Sequence, residues 1–567
     1  MILRASARTV EANDPKREPD RGLLASNEDP IAAQVAAQNA VSRLRQVDVL
    51  DLRQLEVLLS LDRLSRRASG QLLARYVEGN AQVPAYQRRD WSAALRLSQC
   101  FSGAYQRFWQ HIRSGTGDEL LAHAHLVLFQ LLHHRQVEFL LRLMRYKKRI
   151  AAHWAEINEI YRFALTHALV AREAVSREWG REPRTTTLEQ KYINILLLDA
   201  LNNGQLSPRE ALWADGWLAD WSRSLRLSSK DDGAPCTAAN GFFVDLDSAE
   251  GLKRTIPSTA VNVLCLDTSQ LQALIARGAA SMTKAAANSG PTDFAARAGQ
   301  VALLKRLELM VAPVPVRVSR RGERRPVAMT VQGIAGFASI AQVLREEQAV
   351  KLSGASMQEA QEEGITISPL GAERDFVPVG AGAGIDPRSA QRPVVPRIWQ
   401  VKDSSESGCR IRGQIDDLNQ LIPGTLIATR ETAGAPWEIS VVRRFRRLMA
   451  DYVELGVELV GRKPRFVKLV VEGAPAGNQG ALNDANNVCI IAFYLPSSEA
   501  RPTMPIKTLL LPARHFTAGS IVTLLSANAN YTLRLGQPIR QQFEFVCVPF
   551  TVQNRQSVPA GASEENS

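Results

Sequence analysis

From Ile31 to Leu227 the apolar residues recur at intervals of three and four, as in Leu50, Leu55, Leu58 and Leu59 and again through the stretch from Leu120 to Met144. Such spacing puts them on one face of successive helices, so residues 30–228 are expected to form an all-α helical domain of six to eight helices. Near its end Trp213, Trp217 and Trp221 stand four residues apart, which lines three indoles along one helix face as core or as a surface for another domain or partner. Residues 1–29 mix charges, Pro and Asn with few large apolar groups and are expected to form a disordered tail.

After a Ser-, Asp-, Gly- and Pro-rich stretch at Ser228 to Asn240 the pattern changes. Strand-like runs begin at Gly241 and Val261, and helical runs follow at Thr268 to Ile275 and Phe294 to Met310, the first with Asp267 placed as its N-cap. Two further apolar runs, from Pro313 and from Pro326, flank the charged Ser319 to Arg325. Residues 238–345 are therefore expected to form a mixed α/β unit. Gly, Ala, Pro and Glu then dominate, including Gly380-Ala-Gly-Ala-Gly, and residues 346–394 suit a linker or insertion. From Pro396 onward short alternating runs are separated by Pro/Gly turns, which predicts an all-β region: a barrel at 395–470, an additional β unit at 475–552, and a disordered tail at 553–567. The fold class is multidomain α+β.

Composition narrows the function more by exclusion than by assertion. The formal charge is +12, but the basic residues are dispersed, and the compact run Lys147-Lys148-Arg149 follows an apolar helix whose C-terminal dipole it offsets, so nucleic acid is not the expected partner. The first residues carry no apolar stretch of signal-peptide type, and no later stretch approaches the length of a membrane span, so a soluble cytoplasmic protein is expected. The six cysteines are scattered singly and read as small apolar residues. His123, His125, His133 and His134 share one helical stretch without a metal-ligand motif, which favours a solvated or packed helix face and no metal. No nucleophile elbow, phosphate loop or dinucleotide fingerprint is present, and the strand-end residues Asp245, Asp247 and Asp267 read as caps, so no enzyme and no cofactor is expected.

The informative chemistry lies in the β region. Ile398 to Arg412 alternates on both sides of a polar turn and reads as a hairpin whose turn spells Asp403-x-Ser405-x-x-Gly408. Pro423-Gly424-Thr425 then precedes a strand, Trp437 to Val442 supplies another, and Tyr452 to Gly461 alternates Val453, Leu455, Val457 and Leu459 with Glu454 and Glu458. Over this span the chain resembles the PilZ domain family, of the type found in large multidomain proteobacterial proteins. That resemblance implies a PilZ-like β-barrel and cyclic di-GMP as the ligand, with Asp403, Ser405 and Gly408 as binding residues. A carboxylate and a hydroxyl can accept the guanine N–H donors, and Gly permits close backbone approach.

The family's other signature, RxxxR ahead of the barrel, has two candidates here. Arg388 and Arg392 have the spacing and lie in the entry segment, whereas Arg320-Arg321-Gly-Glu-Arg324-Arg325 holds two overlapping pairs but lies much farther from Asp403. The nearer pair, Arg388 and Arg392, is taken as the phosphate clamp, with Arg320 and Arg324 as the alternative. In the second case Val311 to Ile340 is expected to be a degenerate PilZ-like or barrel-completing unit, with Thr330 to Phe337 placed like a signature turn. The function implied is a non-catalytic cyclic di-GMP receptor or effector that couples nucleotide binding to protein partners through the helical domain. The alternative is a ligand-independent adaptor on a degenerate PilZ fold.

Overall fold

The computed structural model describes residues 29–47, 50–78, 84–115, 118–147, 150–176, 183–201, 204–229, 241–255, 260–287, 291–312, 323–354, 394–415, 421–449, 451–472, 487–496, 506–526, 529–542 and 544–557. The chain divides into two compact units. One comprises residues 1–202, 208–272 and 311–314, the other residues 203–207, 273–310 and 315–567.

The first unit is mainly helical: α1 (Pro30–Arg45), α2 (Leu52–Glu78), α3 (Pro84–Arg113), α4 (Asp118–Leu121), α5 (Ala124–Met144), α6 (Ala151–Thr166), α7 (Leu188–Ala200) and α8 (Pro208–Trp221). Asp29 caps α1 by accepting from the Ile31 amide, and Pro30 sits at the first helical position, where no N–H is needed. Thr187 and Gln190 form a reciprocal capping box at the start of α7. Helix α5 is buried around nearly its whole circumference and forms the centre, with Val127, Leu128, Phe129, Leu131 and Leu132 packed among Leu58 of α2, Phe101 and Tyr105 of α3 and Ile160 of α6. Trp217 stacks on Trp221 at a centroid distance of 6.1 Å, and the three indoles of α8 are half-buried.

Two features depart from the expectation of an unbroken helical domain. The strands β1 (Glu173–Ser176) and β2 (Arg184–Thr187) pair antiparallel between α6 and α7, where Thr185, Thr186 and Thr187 favour extended backbone. A small sheet of order β3 (Leu227–Ser229), β5 (Val263–Asp267), β4 (Gly241–Asp245) adds Val244 and Leu246 to the helical core. Asn158 of α6 ties down the loop after β4, its Nδ2 donating to the Ser248 and Glu250 carbonyls at 2.8 and 3.1 Å while its Oδ1 accepts from Tyr192. Cys265 of β5 is disulfide-bonded, unlike the free thiols Cys100, Cys409, Cys489 and Cys547. This corrects the reading of all six as small apolar residues, since the proximity a disulfide needs depends on the fold and not on sequence spacing.

Residues 238–345 do not stay together. Their first strands join the helical core, whereas α9 (Ser269–Ala287) and α10 (Pro291–Val311) belong mostly to the second unit, and β6 (Arg325–Ala335) is a strand of the first barrel. The reason is edge pairing: β6 bonds β7 (Arg397–Ser405) on one side and β9 (Leu426–Arg430) on the other. Thr330 to Phe337, expected as a degenerate signature turn, is instead mostly β6 strand. Helix α11 (Phe337–Gly354) follows inside the segment separating β6 from β7.

The first barrel closes in the order β6, β7, β8 (Gly408–Gln414), β11 (Tyr452–Arg462), β10 (Glu438–Arg447), β9. Trp399 fills its interior between Gly333 and Gly413, where an added Cβ would meet the indole at 2.6 and 2.7 Å. After Lys463 and Pro464 a second barrel begins with β12 (Arg465–Glu472), β13 (Asn487–Leu495), β14 (Thr508–Pro512), β15 (Ile521–Leu525), β16 (Ala529–Leu535), the two-residue β17 (Arg540–Gln541) and β18 (Phe545–Ser557). The β14–β18 pairing closes it in the order β12, β13, β14, β18, β16, β15. In both barrels the ring therefore runs first, second, third, sixth, fifth, fourth strand once β17 is set aside, so the C-terminal β unit repeats the topology of the first. Between them α11 contributes Ile340, Ala341 and Leu344 to one apolar cluster with Trp437 and Ile439 of the first barrel and Phe493, Leu495 and Phe545 of the second. Glu347 of α11 accepts from Arg430 at 2.7 Å and from the Trp437 indole at 3.0 Å.

Buried polar residues on α2 and α5 make the helical unit sensitive to acid. Burial, with the Arg66, Lys191 and His134 charges, pushes the His133 imidazole well below its ordinary value of 6.5. Burial alone would raise the Asp62 carboxyl, but Arg66 and His134 outweigh it and hold the group well below the usual carboxylate range. Both groups have folded values below their unfolded ones, so their stabilisation is present above the unfolded value and is lost as pH falls. The expected outcome is that stability of the full chain, followed by urea unfolding at a helix-sensitive wavelength, declines below pH 6.5 by about 1.4 kcal/mol per pH unit from His133. His133→Gln should flatten that decline.

Candidate functional site

The turn singled out in the sequence is a two-residue hairpin connection between β7 and β8, with Ser405 paired to Gly408 and Ser404 to Cys409. The Ser405 hydroxyl donates to the Gly408 carbonyl at 3.0 Å, closing the turn. Beyond the hairpin lies β11: the Leu459 amide donates to the Ser407 carbonyl at 2.9 Å. A Cβ on Gly408 would fall 2.1 Å from the Val457 carbonyl oxygen, so only glycine lets β8 lie this close to β11.

Asp403 owes its direction to a bulge. Val401 pairs with Ile411, but Asp403 pairs with Arg410, so Lys402 is an extra residue on β7. Trp399 and Val401 point into the barrel, and simple alternation would send Asp403 inward after them. The extra residue turns its carboxylate to the outer face shared with Arg410, Arg412 and Glu454. There it is only 8% exposed. Its Oδ1 accepts from Arg324 Nη1 at 2.8 Å, and its Oδ2 lies 2.6 Å from Arg410 Nη2.

Arg324 reaches Asp403 because β6 runs antiparallel to β7, with Arg325 opposite Ser404 and Pro326 opposite Asp403. The charges continue across the sheet. Arg410 Nη1 stands 3.8 Å from Glu454, whose carboxylate is held by Arg412 at 2.6 Å. A line of alternating sign, Arg324, Asp403, Arg410, Glu454, Arg412, thus crosses from the start of β6 over β7 and β8 to β11. At the same end of the barrel, Glu458 is gripped by Arg443 at 2.6 Å and by Arg540 of the second barrel. Burial, with the Glu438 and Asp403 charges, pushes the neighbouring Cys409 thiol up to about 12, so it stays protonated beside the site.

Of the residues expected to bind ligand, Asp403, Ser405 and Gly408 share one hairpin. Arg388 and Arg392 lie outside the described residues, as does Arg320, whereas Arg324 of the alternative pair stands directly against Asp403. Sequence distance was misleading here, because the residues from 336 to 396 separate two strands that are hydrogen-bonded neighbours. Arg410, Arg412 and Glu454 were not among the residues expected at the site. The visible signal was their alternation with Ile411 and Leu455, but only the register brings their charges together.

Residues 24–232 match the family described as cyclic-di-GMP receptor FimW, N-terminal domain. The match takes in helices α1 to α8 and ends before either barrel. No curated protein and no solved structure matches the chain. Among the described residues no group of three or more His, Cys, Asp or Glu is placed to hold a metal ion, and no helix is long and apolar enough to cross a membrane.

Gly408 gives the most direct check on this geometry. Gly408→Ala must push β8 from β11 or distort the hairpin, and the expected cost is about 1–3 kcal/mol in urea unfolding of the full chain, as for other overpacked sites.

Proposed function

We propose that this chain is a non-catalytic, cytoplasmic receptor for cyclic di-GMP. In this reading the nucleotide docks at the end of the first barrel marked by Arg324, Asp403, Ser405 and Gly408, and its binding is passed to protein partners through the helical domain. The observation that carries the proposal is the placement of Arg324 against the Asp403 hairpin by the β6–β7 pairing. One guanidinium for phosphate, together with one carboxylate and one hydroxyl for a guanine edge, then lie at one end of the barrel, with Gly408 holding β8 close to β11 beside them. The helical region lends separate support, since the family it matches is described by reference to cyclic di-GMP receptors, and that match overlaps no residue of the barrel. The PilZ identity of the barrel belongs to this proposal and rests on the turn motif and its order of strands.

The ligand-independent adaptor reading draws on one observation. The second barrel repeats the strand order of the first, yet between β13 and β14, where the hairpin motif would stand, residues 496–507 contain no Asp-x-Ser-x-x-Gly. Barrels of this order thus occur in this chain without the motif, as a pure scaffold would have them.

Isothermal titration with cyclic di-GMP separates the two. Binding by the full chain is expected, weakened in Asp403→Ala by about 1.5–3 kcal/mol and by less in Ser405→Ala, in keeping with hydrogen bonds to charged and neutral groups. Arg324→Ala should weaken it more than Arg388→Ala or Arg392→Ala, and added salt should lower affinity because the ligand is a dianion facing arginine. Absence of heat together with absence of competition against a labelled nucleotide would leave the adaptor reading in place.

A further inference from the structure

Asp403 is held between two arginines in a manner that bears on its own availability. Both carboxylate oxygens are taken, Oδ1 by Arg324 and Oδ2 by Arg410, and the side chain is almost wholly covered. A guanine Watson–Crick edge presents two parallel N–H donors; Oδ1, holding Arg324 at 2.8 Å, keeps a second lone pair for one of them, whereas the closer Arg410 guanidinium, 2.6 Å from Oδ2, stands in the way of the other. Arg324 precedes the barrel and is the phosphate-facing group of the proposed site. Arg410 belongs to β8 itself, directly opposite Asp403 in register.

We infer that Arg410 is a built-in competitor for the ligand: its guanidinium occupies the acceptor that the guanine edge needs and must swing to Glu454 before the nucleotide can seat. This inference rests on the cyclic di-GMP reading of the same site.

Three observations support the swing. The landing place is already at hand, because Arg410 Nη1 lies 3.8 Å from Glu454 Oε1, just beyond hydrogen-bond range, while its Nη2 is bonded to Asp403. The present seat is imperfect, since the Arg410 Nε–H is buried and meets no acceptor, a cost that another rotamer can relieve. The side chain is also 39% exposed, which leaves its outer part room to change rotamer. Arg412, by contrast, is fixed on Glu454 through both Nε and Nη2 at 2.6 Å, which orients the carboxylate and leaves Oε1 toward Arg410. Movement of Arg410 keeps every charge paired: Asp403 exchanges one arginine for the guanine edge, and Glu454 gains the arginine that leaves. The competitor thus sets the affinity threshold of the receptor without touching the bound ligand.

The test is titration of the full chain and three variants with cyclic di-GMP, with circular dichroism to verify folding. Arg410→Met, which keeps the apolar stem and removes the charge, should bind about tenfold tighter, the equivalent of releasing one charge-assisted hydrogen bond from the acceptor. Glu454→Gln, which takes away the landing charge, should bind several-fold more weakly. The Arg410→Met/Glu454→Gln double variant should match Arg410→Met, because with no arginine to move the landing place is irrelevant. Weaker or unchanged binding by Arg410→Met, with wild type binding, would overturn the competitor role while leaving the receptor reading intact. Binding by Arg410→Met alone, with wild type silent, would support occupation of the acceptor by Arg410 but overturn the receptor reading for the unaltered chain. Silence from wild type and every variant would overturn the receptor reading and the inference with it.

Discussion

The antiparallel pairing of β6 with β7 is the interaction on which the first barrel and its candidate site both depend. It closes the ring, because β6 also bonds β9, and it sets Arg324 and Arg325 at the level of Asp403 and Ser404. The two strands are separated by residues 336–396, so loop-closure entropy opposes the pairing and must be offset by what the intervening chain buries. Helix α11 supplies that offset in part, seating Ile340 and Leu344 in the cluster shared with Trp437, Phe493 and Phe545 and bonding Arg430 and Trp437 through Glu347. A segment that lengthens the loop thereby also fastens its ends.

The same barrel end shows how a site is built at modest energetic gain. Ion pairs that join a buried carboxylate to a partly exposed arginine, as Arg324–Asp403 does, gain little net stability because desolvation of the carboxylate offsets the attraction, and the line of alternating charge from Arg324 to Arg412 is better understood as positioning. What fixes the site is backbone: the bulge at Lys402 that turns Asp403 outward, the Ser405–Gly408 closure, and the contact of Gly408 with Val457 that only glycine permits. The second barrel has the same ring order and none of these devices at the corresponding connection among the described residues. Through Glu458, held by both Arg443 and Arg540, it is joined by charge to the strand that flanks the hairpin.

Local features were legible in the sequence and long-range ones were not. The three-four spacing of α2 and α5 marked the helical unit, and the alternation around Asp403-x-Ser405-x-x-Gly408 marked the hairpin, because both are set by residues a few positions apart. Residues 311–340 could be read either as part of a middle unit or as completing the barrel, and only the pairing of β6 with β7 and β9 decides for the barrel, because no local signal states which edge a strand will join. The orientation of Asp403 was hidden for a related reason: strict alternation predicts an inward side chain, and the one-residue bulge that reverses it is visible only in the register of β7 against β8. Arg410 and Glu454 looked like ordinary outward charges on their strands. Their meeting follows from β8 lying beside β11, a neighbour relation across about forty residues that composition does not encode.

The central claim is that cyclic di-GMP is received at the hairpin end of the first barrel, where the start of β6 meets the β7–β8 turn. Amide hydrogen exchange of the full chain with and without saturating cyclic di-GMP addresses that location residue by residue. The account predicts slower exchange on binding across residues 323–329 and 403–412, with the equivalent connection of the second barrel, residues 487–512, unchanged. Slower exchange confined to the helical unit or to the second barrel would contradict it.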